Sequence, residues 1–402
     1  MAASHGELEG CRMKVCITPF RLLCYPDAGG HAWVYLNWAL GLQANGCEVI
    51  WLEELPLDEE PLEVLRRLRS LRRHLSAAGL QAQLAIVLPE ENRSRFEPVM
   101  QELERLAIPW EAAAEGAELA LNFCYVLDQN ILRRFKRTAL VDIDPGLLQI
   151  WISQGQLNVA KHDLYFTIGE TVGQPGARFP DCGLRWSYTA PPVFLPAWPS
   201  TPSDPSAPYT TVSIWWGIGG HGNWEVFRGE AFNNEKRTSF LDYLNLPSRT
   251  SASLELALCL SRKSAIDNQE RRLLERSGWK VRYSWDVSST LEQYRAYIQQ
   301  SRGEFSCAKP SCMRFGSGWI SDRSLCYLAS GKPVVVQHTG PSRFLPEAQG
   351  MFRFRTLDEA VGALSAVELD YDRHSRLART LAETYFDAKQ VVGRILERAV
   401  TS

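Results

Sequence analysis

Short apolar runs rich in valine, isoleucine and leucine alternate with amphipathic stretches along nearly all of this 402-residue chain. Few folds accommodate such a pattern. A strand buried on both faces reads as a continuous apolar run, and a parallel partner can be reached only through a crossover, usually a helix. In the first half the strand-like runs are Lys14–Phe20, Cys47–Glu53, Gln83–Leu88, Glu118–Cys124, Thr138–Ile143 and Asp163–Ile168, with helical stretches Ala32–Ala44 and Glu60–Ala77 between the early ones. Around 190–208 the sequence turns to closely spaced prolines and serines, the chemistry of a linker. A second alternation follows. Thr210–Trp216, Leu254–Leu260, Lys280–Trp285, Gly303–Cys307 and Pro333–Gln337 read as strands; Lys236–Leu244, Asn268–Ser277, Leu291–Gln300, Leu357–Val367 and Arg373–Ala399 read as helices. No repeat of fixed period appears.

The expected architecture is therefore α/β, with two Rossmann-like doubly wound halves facing across a cleft and the carboxyl ends of both sheets turned toward it. The expected division is 12–200, 208–385 and a C-terminal helix over 386–402 that packs back on the first half. A formal net charge of −2 gives no global reason to bind nucleic acid or an anionic membrane. The ten cysteines form no C-x-x-C pair. Cys16, Cys47, Cys124, Cys259 and Cys326 sit in apolar runs, as small buried thiols do. No metal is expected. With no apolar run of about 18 residues and no basic-then-apolar leader pattern, a reducing cytoplasm is the expected compartment. The one basic cluster, Arg66 to His74, is interleaved with Leu62, Leu65, Leu68, Leu71 and Leu75 at helical spacing, which makes a solvated helix face the simpler reading than a peripheral membrane contact.

One segment carries chemistry more directly than the rest. Ser317-Gly-Trp-Ile-Ser-Asp-Arg-Ser-Leu-Cys-Tyr-Leu-Ala-Ser-Gly-Lys-Pro-Val-Val-Val-Gln337 reads as a glycine-containing loop, a helix opened by Ser321 or Asp322, a stop at Gly331 and a buried strand. A helix N-terminus presents free N–H groups and the positive end of the dipole, which suit a phosphate or diphosphate. Ser317, Gly318, Trp319, Ser321, Asp322 and Arg323 are the candidates here, with Lys309 and Arg314 just upstream. Gly217, Gly219 and Gly220, after the first strand of the second half, would let backbone approach the same anion. An ordinary helix-to-strand turn capped by glycine accounts for the pattern equally well. Thirteen tryptophans are a surplus; Trp33, Trp38, Trp215, Trp216, Trp224 and Trp319 lie near glycine-rich loops, where rings stack on sugars and bases or fill a core. Trp285 and Asp286, read as ending a strand, are placed to meet a base.

Three pieces together resemble the GT-B glycosyltransferases. Asp27-Ala-Gly-Gly-His31 followed by a helix and Gly-Cys-Glu-Val-Ile-Trp-Leu (46–52) looks like the Gly-Gly-His loop, helix and second strand of bacterial lipid-linked and antibiotic glycosyltransferases. Ser317–Gln337 looks like their donor-diphosphate loop, helix and G-x-P-V-V strand, and Gly340-Pro-Ser-Arg-Phe-Leu-Pro346 with Phe352-Arg-Phe-Arg-Thr-Leu-Asp-Glu-Ala360 like their late loop, strand and last helices. The resemblance implies transfer of a hexose from a nucleoside diphosphate to a hydroxyl of a small or lipid-linked acceptor, without metal or cofactor. It puts the donor in the second half and the acceptor in the first, near Gly29, Gly30 and Trp33. His31, Asp142 and Asp144 are the candidate bases. The aspartates end a strand, their alternation placing both carboxylates on one side, a geometry that could hold a divalent metal, orient or deprotonate the acceptor, or cap the turn. A glutamate that usually holds the donor ribose is replaced by Cys326, so either another acid, Asp322 or Glu347, takes that role or the nucleoside is held differently. A nucleotide-sugar 2-epimerase and a catalytically silent nucleotide-binding scaffold are the alternatives.

Overall fold

The computed structural model describes residues 13–217 and 220–401. Gly219, one of the candidate donor contacts, lies outside the described residues. The first half forms a sheet of eight strands: β1 Lys14–Thr18, β2 Glu48–Glu54, β3 Ala82–Val87, β4 Ile108–Pro109, β5 Leu119–Asn122, β6 Thr138–Asp142, β7 Leu164–Thr167 and β8 Trp186–Tyr188. All neighbours are parallel, in the order β4-β3-β2-β1-β5-β6-β7-β8. The second half contributes β9 Tyr209–Ile214, an antiparallel hairpin of β10 Trp224–Phe227 and β11 Glu230–Asn233, then β12 Leu254–Cys259, β13 Lys280–Tyr283, β14 Gly303–Ser306, β15 Val334–Gln337 and β16 Met351–Phe354. Apart from the hairpin these make a six-stranded parallel sheet in the order β13-β12-β9-β14-β15-β16. Each order reverses direction once, at β1/β5 and at β9/β14. Such switch points leave a crevice beyond the carboxyl ends of the strands.

The helix Gly29–Ala44 ties the halves together. It is buried on almost every side, from Trp33 to Leu42 with only Val34 partly open, and an all-round apolar helix is one covered on all faces. One face meets the helix Leu291–Gln300 of the second half: Trp33 Nε1 donates to Leu291 O at 3.0 Å, and its ring packs on Trp198 at 4.8 Å. The other meets the C-terminal helix Ala388–Thr401, whose Ala388 and Val392 crowd Gly41 so closely that a β-carbon there would lie 2.7 Å from Val392. The last helices thus cross from the second half back to the first, and β-bridge pairing of Val193 with Asp387 closes the crossing.

Several elements depart from the sequence reading. Strand β13 stops at Tyr283, and Trp285 and Asp286 lie in a short helix, Ser284–Ser288, with Asp286 paired to Arg262 at 2.5 Å. Arg373–Ala399 is not one helix: Tyr371–Leu381 ends in a π-turn, Ala382–Phe386, before Ala388 starts the next. The hairpin was invisible because its turn is Arg228–Gly229, both at positive φ (52° and 80°), and arginine is not the residue that advertises such a turn. Leu62 is 72% exposed, so the leucine stripe begins at Leu65. Trp33, Trp38 and Trp215 are core residues, not cleft walls. Among the described residues no helix is long and apolar enough to cross a membrane.

A β-carbon on Gly29 would stand 2.2 Å from Thr290 O, a backbone atom that cannot step aside cheaply. Gly29→Ala is therefore expected to destabilise the fold by about 1–3 kcal/mol, the usual cost of overpacking. Gly116→Ala, where nothing lies within 4 Å, is the matched control and is expected to be neutral; denaturant titration of both variants checks this.

Candidate functional site

A cavity of about 320 Å³ lies between the two sheets at their carboxyl ends. The first half lines it with His31 from the start of its helix and with Asp144, Pro145 and Leu147 from the turn after β6. The second half supplies the end of β9, Lys236, the Lys309–Cys312 turn after β14, and Trp319 with Ser321, Asp322 and Arg323 at the opening of the helix Asp322–Ala329. The structure therefore brings together His31, Asp144, Lys309, Trp319, Ser321, Asp322 and Arg323. It separates them from the remaining candidates.

His31 is fixed by its own strand. Its Nε2 lies 2.9 Å from Phe20 O, and a carbonyl only accepts, so Nε2 carries the hydrogen and Nδ1 is the basic nitrogen. The rings of Tyr25 and Tyr35 meet it edge-on at 5.5 and 5.2 Å. Burial lowers its pKa against the opposing pull of the Phe20 carbonyl, which keeps the ring neutral near pH 7. The two aspartates do not act as a pair. Asp142 is fully buried beneath the turn, where its carboxylate accepts from Thr167 Oγ1 (2.8 Å), Gln149 Nε2 (2.9 Å) and the Asp144 N–H (3.0 Å). Burial pushes its pKa up to about 7 while these hydrogen bonds oppose it. Strand β6 ends at Asp142, so the two-residue alternation lapses: Asp142 braces the turn and Asp144 faces the cavity.

On the opposite wall the arginine expected to meet phosphate is already engaged. Arg323 Nε contacts Glu304 at 2.7 Å, Nη2 donates to Ser306 Oγ at 2.6 Å and Nη1 to Val212 O at 2.9 Å. Its fork thus ties the helix to β14 and β9, and it is the ion-pair partner of Glu304, which is 0% exposed. Lys236 is the cationic partner that sequence reading missed. It is 7% exposed, lines the cavity and makes no ion pair among the described residues; burial, then the charges of Arg323 and Lys309, lower its pKa to about 7. Asn234 Oδ1 accepts from the Ser311 N–H at 2.9 Å and so holds this segment against the Lys309 turn. One signal was available: lysine is the first residue of the helix Lys236–Leu241, the end where a cation opposes the dipole. Burial also raises the pKa of Asp322, which Arg323 opposes.

The other candidates have structural roles. Trp33 is 1% exposed with its N–H bonded, so it offers no face to an acceptor. Gly29 and Gly30 are small because Thr290 and Tyr294 press on them from the second half. Arg314 is exposed and paired with Glu230 at 2.7 Å. Ser317 is wholly buried with its hydroxyl unpartnered, and the Gly318 N–H is spent on Thr339 O. Gly217 lies in a tight turn where a β-carbon would meet Asn223 at 2.4 Å, bridged to Gly220. Cys326 is 1% exposed inside its helix, and Glu347 is exposed in another cleft. No three His, Cys, Asp or Glu side chains among the described residues are grouped to hold a metal ion.

No family model matches the sequence, and no curated protein does. Solved structures do match in shape. Anabaena HepE in complex with UDP-glucose superposes over 97% of this chain and all of its own, at 10% identity and a TM-score of 0.56. The N-terminal domain of Candida albicans trehalose-6-phosphate phosphatase does so over 99% of this chain and 98% of its own, at 8% identity and a TM-score of 0.52. The likeness establishes the fold: two Rossmann-like sheets opposed across a cleft, the GT-B arrangement.

Two substitutions probe the cavity wall. Removing Arg323 leaves Glu304 buried and unpaired, so Arg323→Ala is expected to destabilise by about 3–5 kcal/mol in a denaturant titration. Lys236→Met is expected to do the reverse. An unfolded lysine titrates at about 10.4. The native state therefore carries the full cost of a buried ammonium below pH 7, and loses it as pH rises from there toward 10. The variant should melt higher than wild type at pH 6, by a margin that shrinks at pH 9.

Proposed function

We propose that the protein is a glycosyltransferase that moves a hexose from a nucleoside diphosphate to an acceptor hydroxyl, with the donor on the second half (208–385) and the acceptor on the first (12–200). One observation carries this reading. A neutral histidine with a free Nδ1 and an unpaired aspartate face, across a single cavity, a helix N-terminus flanked by two lysines. Transfer needs a proton acceptor on one side and stabilisation of developing negative charge on the other. The acceptor oxygen attacks the anomeric carbon, and the bond from that carbon to the diphosphate oxygen breaks with its electron pair. His31 Nδ1 takes the hydroxyl proton, and Asp144 orients the hydroxyl or steadies the imidazolium. The first-turn N–H of Arg323, with Lys236 and Lys309, meets the departing diphosphate, while that of Asp322 is held by its own carboxylate. Nothing in this scheme requires a metal. HepE structures that hold UDP-glucose, UDP with glucose, and UDP support the choice of donor class.

A second reading, a nucleotide-binding protein without turnover, is favoured by the engaged fork of Arg323 and the burial of Cys326. Calorimetry with UDP-, GDP- and dTDP-sugars, followed by assay of donor turnover with and without EDTA, separates the two. Under the transferase reading one nucleotide class binds and turns over in EDTA. His31→Ala is expected to lower turnover by about 10²–10⁴-fold while donor affinity holds. Full turnover in His31→Ala would remove the base assignment; binding without turnover in wild type would favour the silent reading.

A further inference from the structure

A second cleft, of about 720 Å³, opens beside the reaction cavity. One wall is the segment Thr171–Arg178 that follows β7 in the first half; the other is formed by His338–Ser342 after β15 and by Arg353 and Arg355 at the end of β16. Arg353, on β16, and Arg355, just past its end, both line the cleft, while Phe352 and Phe354 are buried in the second core. Against three arginines the lining offers one carboxylate, Glu347.

None of these arginines is in an ion pair among the described residues. Arg178 donates to Arg314 O at 3.2 Å and Arg353 to Gly340 O at 3.4 Å, carbonyl contacts that leave most of each fork open. The exposed Arg314 beside the cleft, by contrast, is matched with Glu230. His338 adds a neutral donor: its Nδ1 accepts from the Gly340 N–H at 3.3 Å, so Nε2 holds the hydrogen. Burial and the two neighbouring arginines keep its pKa low. Guanidinium forks with a neutral N–H donor are the chemistry of phosphate recognition.

The cleft and the reaction cavity share a wall. A narrow pocket between them is lined by Trp319, Ser321 and Arg323, which also line the reaction cavity, and by Ser342 and Arg353, which also line the cationic cleft. A volume of about 720 Å³ is far more than a phosphate group alone occupies. We propose that this cleft anchors the acceptor through a phosphate group, so that the transferase takes a phosphorylated acceptor, a sugar phosphate or a lipid phosphate, whose hydroxyl reaches His31. The proposal rests on the glycosyltransferase reading and names its acceptor class.

The test uses the whole chain, with Arg353→Gln/Arg355→Gln and, as an exposed second site, Arg178→Gln. Calorimetry measures inorganic phosphate, a hexose 6-phosphate, the free hexose and UDP; co-sedimentation measures vesicles containing phosphatidic acid. Wild type is expected to bind phosphate and to prefer either the hexose 6-phosphate over the hexose or the phosphatidic acid vesicles over neutral ones, the two arms telling a soluble from a lipid acceptor. Each lost arginine should weaken that binding by about tenfold or more, with UDP affinity unchanged. Phosphate binding that is absent, or indifferent to the substitutions, would overturn the proposal. A parallel fall in UDP affinity would overturn it too, by placing the donor diphosphate in this cleft. Failure of every nucleotide to bind wild type, with phosphate binding still dependent on the arginines, would instead sink the transferase reading and keep the anion site.

Discussion

The close approach of Gly29 and Gly30 to Thr290 and Tyr294 sets everything else in this molecule. Two residues without side chains allow the N-terminal turn of one helix to seat on the capped start of another, where any β-carbon would collide with backbone or ring. That seam joins the halves beside the reaction cavity rather than far from it. His31, one residue further along, is carried to the cavity by the same turn. The terminal helix completes the clamp from the other side through Gly41. Packed seams of this kind resist small continuous adjustment, so the distance across the cavity is set by packing and not by the linker.

Electrostatics is arranged in layers around that seam. Charges with structural work are paired or hydrogen-bonded below the surface of the cavity: Arg323 with Glu304, Asp142 with four donors. Three of the groups that face the void, Asp144, Lys236 and Lys309, have no ion pair among the described residues. Burying an unpaired ammonium costs stability, and Lys236 carries that cost where an anion would offset it. Among the described residues, cationic groups without an ion pair line both voids, Lys236 and Lys309 in the one and Arg178, Arg353 and Arg355 in the other.

Much of this was legible in the residues. The alternation of apolar runs located the strands of both parallel sheets other than β4, β8 and β16, because a strand covered by helices on both faces is mostly apolar in both registers. Gly331 stopped its helix at φ 70°, and Pro333 and the valines after it made β15, as their local preferences require. The short strands β4 and β8 were not legible, since two or three residues hold no periodicity. The donor-side loop was found for the right reason, a helix start. Its most conspicuous residue, Arg323, nevertheless turned inward, because Glu304 on the neighbouring strand offers a better-placed partner than solvent does. Trp33 misled in the same way: His31 faces the cavity, while two residues on, about half a helical turn, carry the Trp33 ring into the core.

What the sequence determined by itself was local and periodic: which segments are strands, which are helices, where a helix begins, and that parallel sheets must present their carboxyl ends together. Only the tertiary structure decided which polar side chains reach the cavity. That choice depends on contacts between residues far apart in the chain, Arg323 with Glu304 and Val212, Asp142 with Thr167, Lys236 beside Lys309. A charged residue turns toward the void or away from it according to partners that periodicity does not encode.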